Sequence, residues 1–373
     1  MPTSIPNTLK QHITNALGKK TNRKIIVIES DDWGTIRMPS RKIYDILKKQ
    51  GLNIDDPYNR YDSLATEEDL SALFDILATF KDHNGRHPTL TANCLVANPD
   101  FKRIKDSGYT KYFFEPFTET LRQYAHCENS FSLWKEGIQD NLFHPQFHGR
   151  EHLNISSWLF ALQHGDPDTL CGFGHGFWGH TIRRSGLQSR PFLAAYHFRS
   201  LKEEDRICQI INEGMGIFKE IFGYKSRSVI APKFIWSSKM EKAFSACGAN
   251  LIQSQRNQLI PSIHKPGFQT KFHYSGQKNS LAQTYLVRNA LFEPTSAPNN
   301  DWVDSCLKDI SRAFLWKTPA IISAHRVNFI GAIMPENRDK NLIMLKELLR
   351  KILLRWPTVE FLTTDQLFFN NNI

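Results

Sequence analysis

The sequence lacks the cysteine pattern of a disulfide scaffold. Its six cysteines (Cys94, Cys127, Cys171, Cys208, Cys247 and Cys306) stand far apart, with no CxxC pair. That spacing fits free thiols in a reducing compartment. No apolar run is long enough for a signal peptide or a membrane span, so a cytoplasmic protein without a span is expected. Neither GxGxxG nor a GxxxxGKS/T loop occurs, which removes the usual phosphate cradles. The absence of GxSxG removes the serine nucleophile elbow. Basic residues form only short runs, such as Lys19-Lys20 and Lys48-Lys49, and no nucleic-acid motif accompanies them, so no nucleic-acid partner is expected. No repeat, low-complexity stretch or linker divides the chain, and a single domain over 1–373 is expected.

What is present is a chain of 373 residues, 40% hydrophobic, enough for a large buried core. Lys and Arg exceed Asp and Glu by 10 (47 against 37), which favours an acidic partner, an anionic glycan among them. There are 26 Phe and 8 Trp. Phe in such numbers is mostly core, whereas exposed Trp often lies under sugar rings. A short amphipathic helix is expected at 8–17. Continuous apolar strands, such as residues 24–29 (KIIVIE) and 320–324 (AIISA), read as buried on both faces. Further strands are expected at 88–96, 141–148, 192–198, 227–232, 250–254, 285–291 and 358–362. Helical patterns lie between them, for example at 66–83, 111–126, 202–222 and 336–355. Two stretches, 165–190 and 256–282, lack a period and read as insertions. The alternation argues for one parallel α/β barrel or a doubly wound sheet.

Three motifs carry chemistry. Asp31-Asp32 ends the first buried strand, where two charges are costly unless used or paired. One carboxylate can bind a cation while its neighbour acts as a base. His148-Gly-Arg-Glu-His152 spaces two imidazoles so that a helix would put both on one face, toward one metal. His144 precedes this pair by four residues and is a possible additional ligand. His325 follows the strand at 320–324, again at a C-terminal end, where α/β folds place catalytic groups. The loop at 172–180 (GFGHGFWGH) carries His175 and His180 near Cys171, but their spacing fits no standard zinc pattern.

In their order these motifs resemble the polysaccharide deacetylase (NodB-homology) superfamily, over about residues 22–370. The Asp-Asp motif falls on Asp31-Asp32 and the His-x3-His motif on His148 and His152. The Arg-x-Pro-Tyr-like motif falls on Ala231-Pro232-Lys233-Phe234 and the Leu-x-His motif on Ser323-Ala324-His325. The resemblance implies a distorted seven-stranded (β/α) barrel with loop insertions. It implies a divalent metal, zinc by expectation, on Asp32, His148 and His152. Asp31 would be the base that takes a proton from the attacking water, and His325 the acid that protonates the leaving group. The backbone N–H of Phe234 would hold the oxyanion. The activity implied is removal of acetyl groups from an N- or O-acetylated carbohydrate. Trp33, Trp178 and Trp236 are candidate sugar platforms, and Arg288 a candidate substrate contact.

There are departures. Ala231 stands where relatives have the arginine that pairs with the base, and Arg288 or Lys233 are the candidates to replace it. Gly149 lacks the usual hydroxyl, and the fourth motif is not placed. Two other readings are therefore weighed. One is a glycoside hydrolase using Glu29, Glu151 or Glu293. The other is a non-catalytic carbohydrate-binding protein on a degenerate fold.

Overall fold

The computed structural model describes residues 7–180, 192–264 and 267–367. Residues 181–190 of the first expected insertion, 265–266 of the second, and the end of the expected barrel at 368–370 lie outside the described residues.

Among the described residues nine strands form one sheet: β1 (Lys24–Trp33), β2 (Leu90–Leu95), β3 (Phe143–Gly149), β4 (Ser228–Ile230), β5 (Leu251–Ser254), β6 (Thr284–Val287), β7 (Ala290–Leu291), β8 (Ala320–His325) and β9 (Val359–Phe361). Their order is β6-β5-β4-β3-β2-β1-β8-β7, with β9 paired to β1 off this path. Every pairing is parallel. The two ends of the path, β6 and β7, are separated by only Arg288 and Asn289. The expected strand at 285–291 is thus one segment broken at Arg288, and it joins the sheet's two edges. Counting it once, the curled sheet has seven positions, as a distorted seven-stranded barrel requires.

Alternation along each strand sorts the barrel interior into layers. Ile26 and Ile28 of β1 face the main outer core. Ile25 and Val27 face the other way and pack with Leu251, Leu286 and Ile321 in a separate apolar cluster. Higher on the same inner faces the residues become polar: Glu29, Thr91, Gln253 and Ser323, all buried. The top layer holds Asp31 and His325, which are register partners on β1 and β8.

The helices connecting strands are capped as their sequences dictate. Thr66 and Asp69 form a capping box at Glu67–Thr79, and Gly223 closes Leu201–Phe222 in a left-handed conformation. Residues 192–198, expected as a strand, form turns instead. The expected excursion from 165 contains a helix, Pro167–Gly174, capped by Asp166. The second insertion contains an antiparallel hairpin of Asn257–Pro261 with Phe268–Phe272. Within the expected helix at 111–126, Phe114–Pro116 pairs with Ala97–Pro99 and the helix is only Phe117–Gln123. None of the six cysteines is bonded to another. No helix among the described residues is long and apolar enough to cross a membrane.

Candidate metal centre and its cleft

The site is built on two β-bulges. Ser30 pairs with Ala92 and Trp33 with Cys94, so Asp31 and Asp32 together stand opposite Asn93 alone. In a regular strand adjacent side chains point to opposite faces. Here Asp32 takes a left-handed backbone, φ 73°, which aspartate tolerates better than most residues. The extra residue lets both carboxylates face one cleft. On β3, Cys94 pairs with Phe147 and Leu95 with Gly149, so His148 is a second inserted residue. Bulges of this kind re-aim side chains at barrel rims.

Asp32, His148 and His152 offer ligand atoms that all lie within 4.8 Å of one another. Asp32 Oδ1 is 3.3 Å from His148 Nε2 and 3.8 Å from His152 Nε2. It is buried and has no hydrogen-bond partner, an expensive state unless a cation fills the gap. His148 Nδ1 lies 2.9 Å from the Ile230 carbonyl. A carbonyl only accepts, so Nδ1 carries a proton, and Nε2 is the ring nitrogen turned toward Asp32. Burial pushes His152 down to about 3, so it is neutral at ordinary pH. Two ligand atoms about 2.0–2.1 Å from a tetrahedral zinc stand about 3.3 Å apart, close to the Asp32–His148 spacing. The donor set therefore fits a divalent ion. The two histidines do not share a helical face, because His148 lies within β3 and His152 lies in the bend before the helix Ile155–Gln163.

The cation beside Asp31 is Arg288. Its Nη1 and Nη2 donate to the two oxygens of Asp31 (2.7 and 2.6 Å), and Nε donates to Glu29 Oε2 (2.6 Å). The sequence expectation of Arg288 as a substrate contact is thereby corrected, because its side chain is fully committed below the cleft. Asn93 Nδ2 also donates to Asp31 Oδ1 (2.8 Å) and to Gln253 Oε1 (2.8 Å). Burial would raise the Asp31 carboxyl, but the Arg288 charge and hydrogen bonds outweigh it and hold Asp31 at about 2. Opposite stands His325, its Nε2 3.8 Å from Asp31 Oδ2. Burial would lower this imidazole, but Glu293, 2.5 Å from Nδ1, and then Asp31 raise it to about 9. Asn328 Nδ2 in turn donates to Glu293 Oε2 (2.8 Å).

These groups open into a cleft of about 810 Å³, whose other walls include Arg37, Tyr58, Asn59, Lys233, Phe234 and Leu259. Arg37 and Tyr58 escaped the sequence reading. Arg37 Nη2 lies 3.5 Å from Asp32 Oδ2, and its guanidinium sits over the Tyr58 ring. The Tyr58 hydroxyl lies 3.3 Å from His325 Nδ1. No spacing signal links them to the motifs: Arg37 lies in the irregular stretch just after β1, and Tyr58 lies in the short helix Pro57–Tyr61.

Several expectations fail. Trp33, Trp178 and Trp236 are wholly buried. Their indole N–H groups donate to Ser30 Oγ, the Ile36 carbonyl and Glu241 Oε1 respectively, so none is a sugar platform. Phe234 does line the cleft, but its N–H donates to the Ala231 carbonyl (2.9 Å) within a tight turn. It is not free for an oxyanion. His144 lies four residues before His148, roughly 13 Å down the strand, and pairs with Asp365 (3.1 Å) instead. Of the glycosidase candidates, Glu29 is bound to Arg288 and Glu151 to Arg150, both buried. Glu293 reaches the site only through His325. No pair of free carboxylates from that set flanks the cleft.

No family model matches the chain, and no curated protein matches it. Among solved structures, it is similar to a 4-alpha-glucanotransferase from Thermococcus litoralis at 8% identity and a TM-score of 0.45. That match covers 93% of this chain and 40% of the other. It is similar to a putative polysaccharide deacetylase from Mycobacterium smegmatis at 10% identity and a TM-score of 0.43, covering 94% and 91%. A CE4 family pseudoenzyme from Bacillus anthracis matches at 10% identity and a TM-score of 0.37, covering 93% and 66%.

Proposed function

We propose that the chain is a metal-dependent hydrolase that removes acetyl groups from an N- or O-acetylated carbohydrate. The observation that carries this reading is the clustering of Asp32, His148 and His152 around one unpartnered buried oxygen, with Asp31 and His325 facing each other beside it. Asp32, His148 and His152 would hold the ion, zinc by the character of the donor set. When bound, it would polarise a carbonyl oxygen and make water a stronger acid.

The chain's own residues supply the rest. Asp31 is ionised at any ordinary pH and accepts a proton from the attacking water. Arg288 keeps it charged and oriented, which answers the loss of arginine at position 231. His325 is protonated through neutral pH and gives its proton to the leaving amine or alcohol. Glu293 and Asn328 fix its ring so that Nε2 faces the cleft. With the Phe234 N–H committed, positive charge on that wall comes from Lys233, whose field already reaches His152. A cationic wall also suits an anionic glycan. The non-catalytic reading loses its main support once Arg288 stands beside Asp31.

The test measures metal content and acetate release together. Wild type should bind one divalent ion per chain and release acetate from acetylated oligosaccharides, and His148→Ala should lose both. Equal metal content in the two proteins would sink the metal assignment. Retained metal without acetate release over a broad acetylated panel would sink the activity.

A further inference from the structure

The helix Asn7–Leu17 is turned inside out. Its inward face is polar. Thr14 and Asn15 are buried, Asn289 Nδ2 donates to Asn15 Oδ1 (2.9 Å), and Gln11 Nε2 donates to Asp309 Oδ1 (3.3 Å). Its outward face is apolar. Leu9, Ile13 and Leu17, spaced by four, are 50%, 42% and 52% exposed. A surface helix on a globular protein normally does the reverse. Trp316 lies alongside, 37% exposed, its Nε1 donating to His12 Nδ1 (2.8 Å). Its neighbour Leu315 is 72% exposed. An apolar face of this kind marks a surface that something covers.

The charges around it are mostly basic, although Arg23 is paired with Glu360 (2.7 Å). Residues 7–24 contain Lys10, Lys19, Lys20, Arg23 and Lys24 and no acidic residue, and residues 311–319 contain Arg312 and Lys317 and no acidic residue. The two stretches are joined by a hydrogen bond from the Thr21 N–H to the Lys317 carbonyl (2.7 Å). Lys20 Nζ sits 5.7 Å from the Trp316 ring centre. Asp309, which touches the helix, is turned inward to Gln11 and Arg312. An apolar stripe with a tryptophan at its edge and lysines around it is the composition of a helix that lies in a membrane interface. A second copy of the chain docked here would bring these cations face to face.

We propose that this face seats the protein on an anionic lipid bilayer. Leu9, Ile13, Leu17 and Leu315 enter the headgroup boundary, and the surrounding lysines meet the lipid phosphates. The face lies where β1 and β8 begin, since Lys24 opens β1 and Gly18 packs on Thr318 just before β8. The cleft lies where the same strands end, so a docked protein keeps it open away from the lipid.

Cosedimentation of the full chain with vesicles tests this, using phosphatidylcholine alone or with about 30% phosphatidylglycerol. Binding is expected on the anionic vesicles only, and it should be lost by about 0.5 M salt. The triple variant Leu9→Ser, Ile13→Ser, Leu17→Ser should bind at least about tenfold more weakly with an unchanged melting curve, because all three side chains are exposed. Lys10→Gln with Lys317→Gln should weaken binding severalfold. No binding to anionic vesicles overturns the proposal. Equal binding by the triple variant also overturns it, since general positive charge alone would then be responsible. A wild-type dimer that the triple variant converts to monomer assigns the face to a second copy and overturns it as well.

Discussion

Replacing Arg288 by methionine isolates the feature that distinguishes this site. The guanidinium lies between two buried carboxylates, Glu29 and Asp31. Methionine keeps most of the volume and removes the charge. Breaking a buried pair by deleting one partner costs ~3–5 kcal/mol, because the remaining charge is neither solvated nor neutralised. The loss must depend on pH. In the wild type, Asp31 sits at about 2 instead of its ordinary 3.8. Its folded value is depressed, so its contribution of about 2 kcal/mol is present above pH ~4 and lost as pH falls through about 2. In Arg288→Met, the strongest opposition to burial and to the facing carboxylate's charge is gone, so Asp31 rises and Glu29, which burial already holds above its ordinary value, rises further. The penalty then appears as pH climbs past ~4 and grows until the raised values are passed. Urea unfolding followed by tryptophan fluorescence measures this, with chelator present so that metal binding adds nothing to the folded side. The gap between wild type and variant should be ~3–5 kcal/mol at pH 8 and markedly smaller at pH 4.5. Acetate release should move its acid limb to higher pH, because Asp31 must lose its proton to act as a base. Metal content should stay near wild type, since Arg288 touches none of the three ligands' clustered atoms. A variant within about 1 kcal/mol of wild type at pH 8, with an unmoved acid limb, would refute the reasoning.

Three further outcomes are expected. Glu293→Gln removes the largest raising influence on His325, so activity, which needs the protonated imidazole, should be lost on the alkaline side well below about 9 in a pH–rate profile. Gly34→Ala should destabilise by more than ~2 kcal/mol in urea unfolding, because φ is 85° and the added Cβ would stand 2.3 Å from the Leu95 carbonyl. Trp178→Ala should cost ~3–5 kcal/mol as a core truncation while leaving KM unchanged at temperatures where the variant is folded; a raised KM with unchanged stability would restore the sugar-platform reading.

Much of the barrel was legible because its strands are apolar over lengths that leave few alternatives. Ile25–Ile28 and Ala320–Ile322 announce buried parallel strands, and each runs into a polar residue where the site lies. Short elements were not legible. The strands Ala97–Pro99 and Phe114–Pro116 pair with each other across a helix, and three residues carry no period. The turns at 192–198 contain Phe192, Ala194, Ala195 and Phe198, an apolar pattern that tertiary packing buries without strand pairing. The tryptophans were misread for a related reason. Position beside a motif in the chain says nothing about the side toward which an indole turns, and at these three positions a partner for its N–H was available in the core.

The site shows where reading by spacing stops. His148 and His152 were paired on the assumption of a helical turn, yet neither is helical, and they meet because a bulge re-aims the first and a turn returns the second. Adjacent strand residues ordinarily diverge, yet Asp31 and Asp32 both face the cleft because Asp32 breaks the strand's regularity. Position 231, where an arginine was missed, is irrelevant to the charge at Asp31. The guanidinium arrives from the break between β6 and β7, on the far side of β1's other neighbour, β8. What these cases share is that the requirement is electrostatic and the supplier is topological. A buried Asp31 needs a cation within hydrogen-bond reach, and any strand bordering the polar top layer of the barrel can provide it. The polar inward residues just below that layer, Thr91, Gln253 and Ser323 with Glu29, interrupt otherwise apolar strands and were the signal in the sequence for where a buried charge must be met.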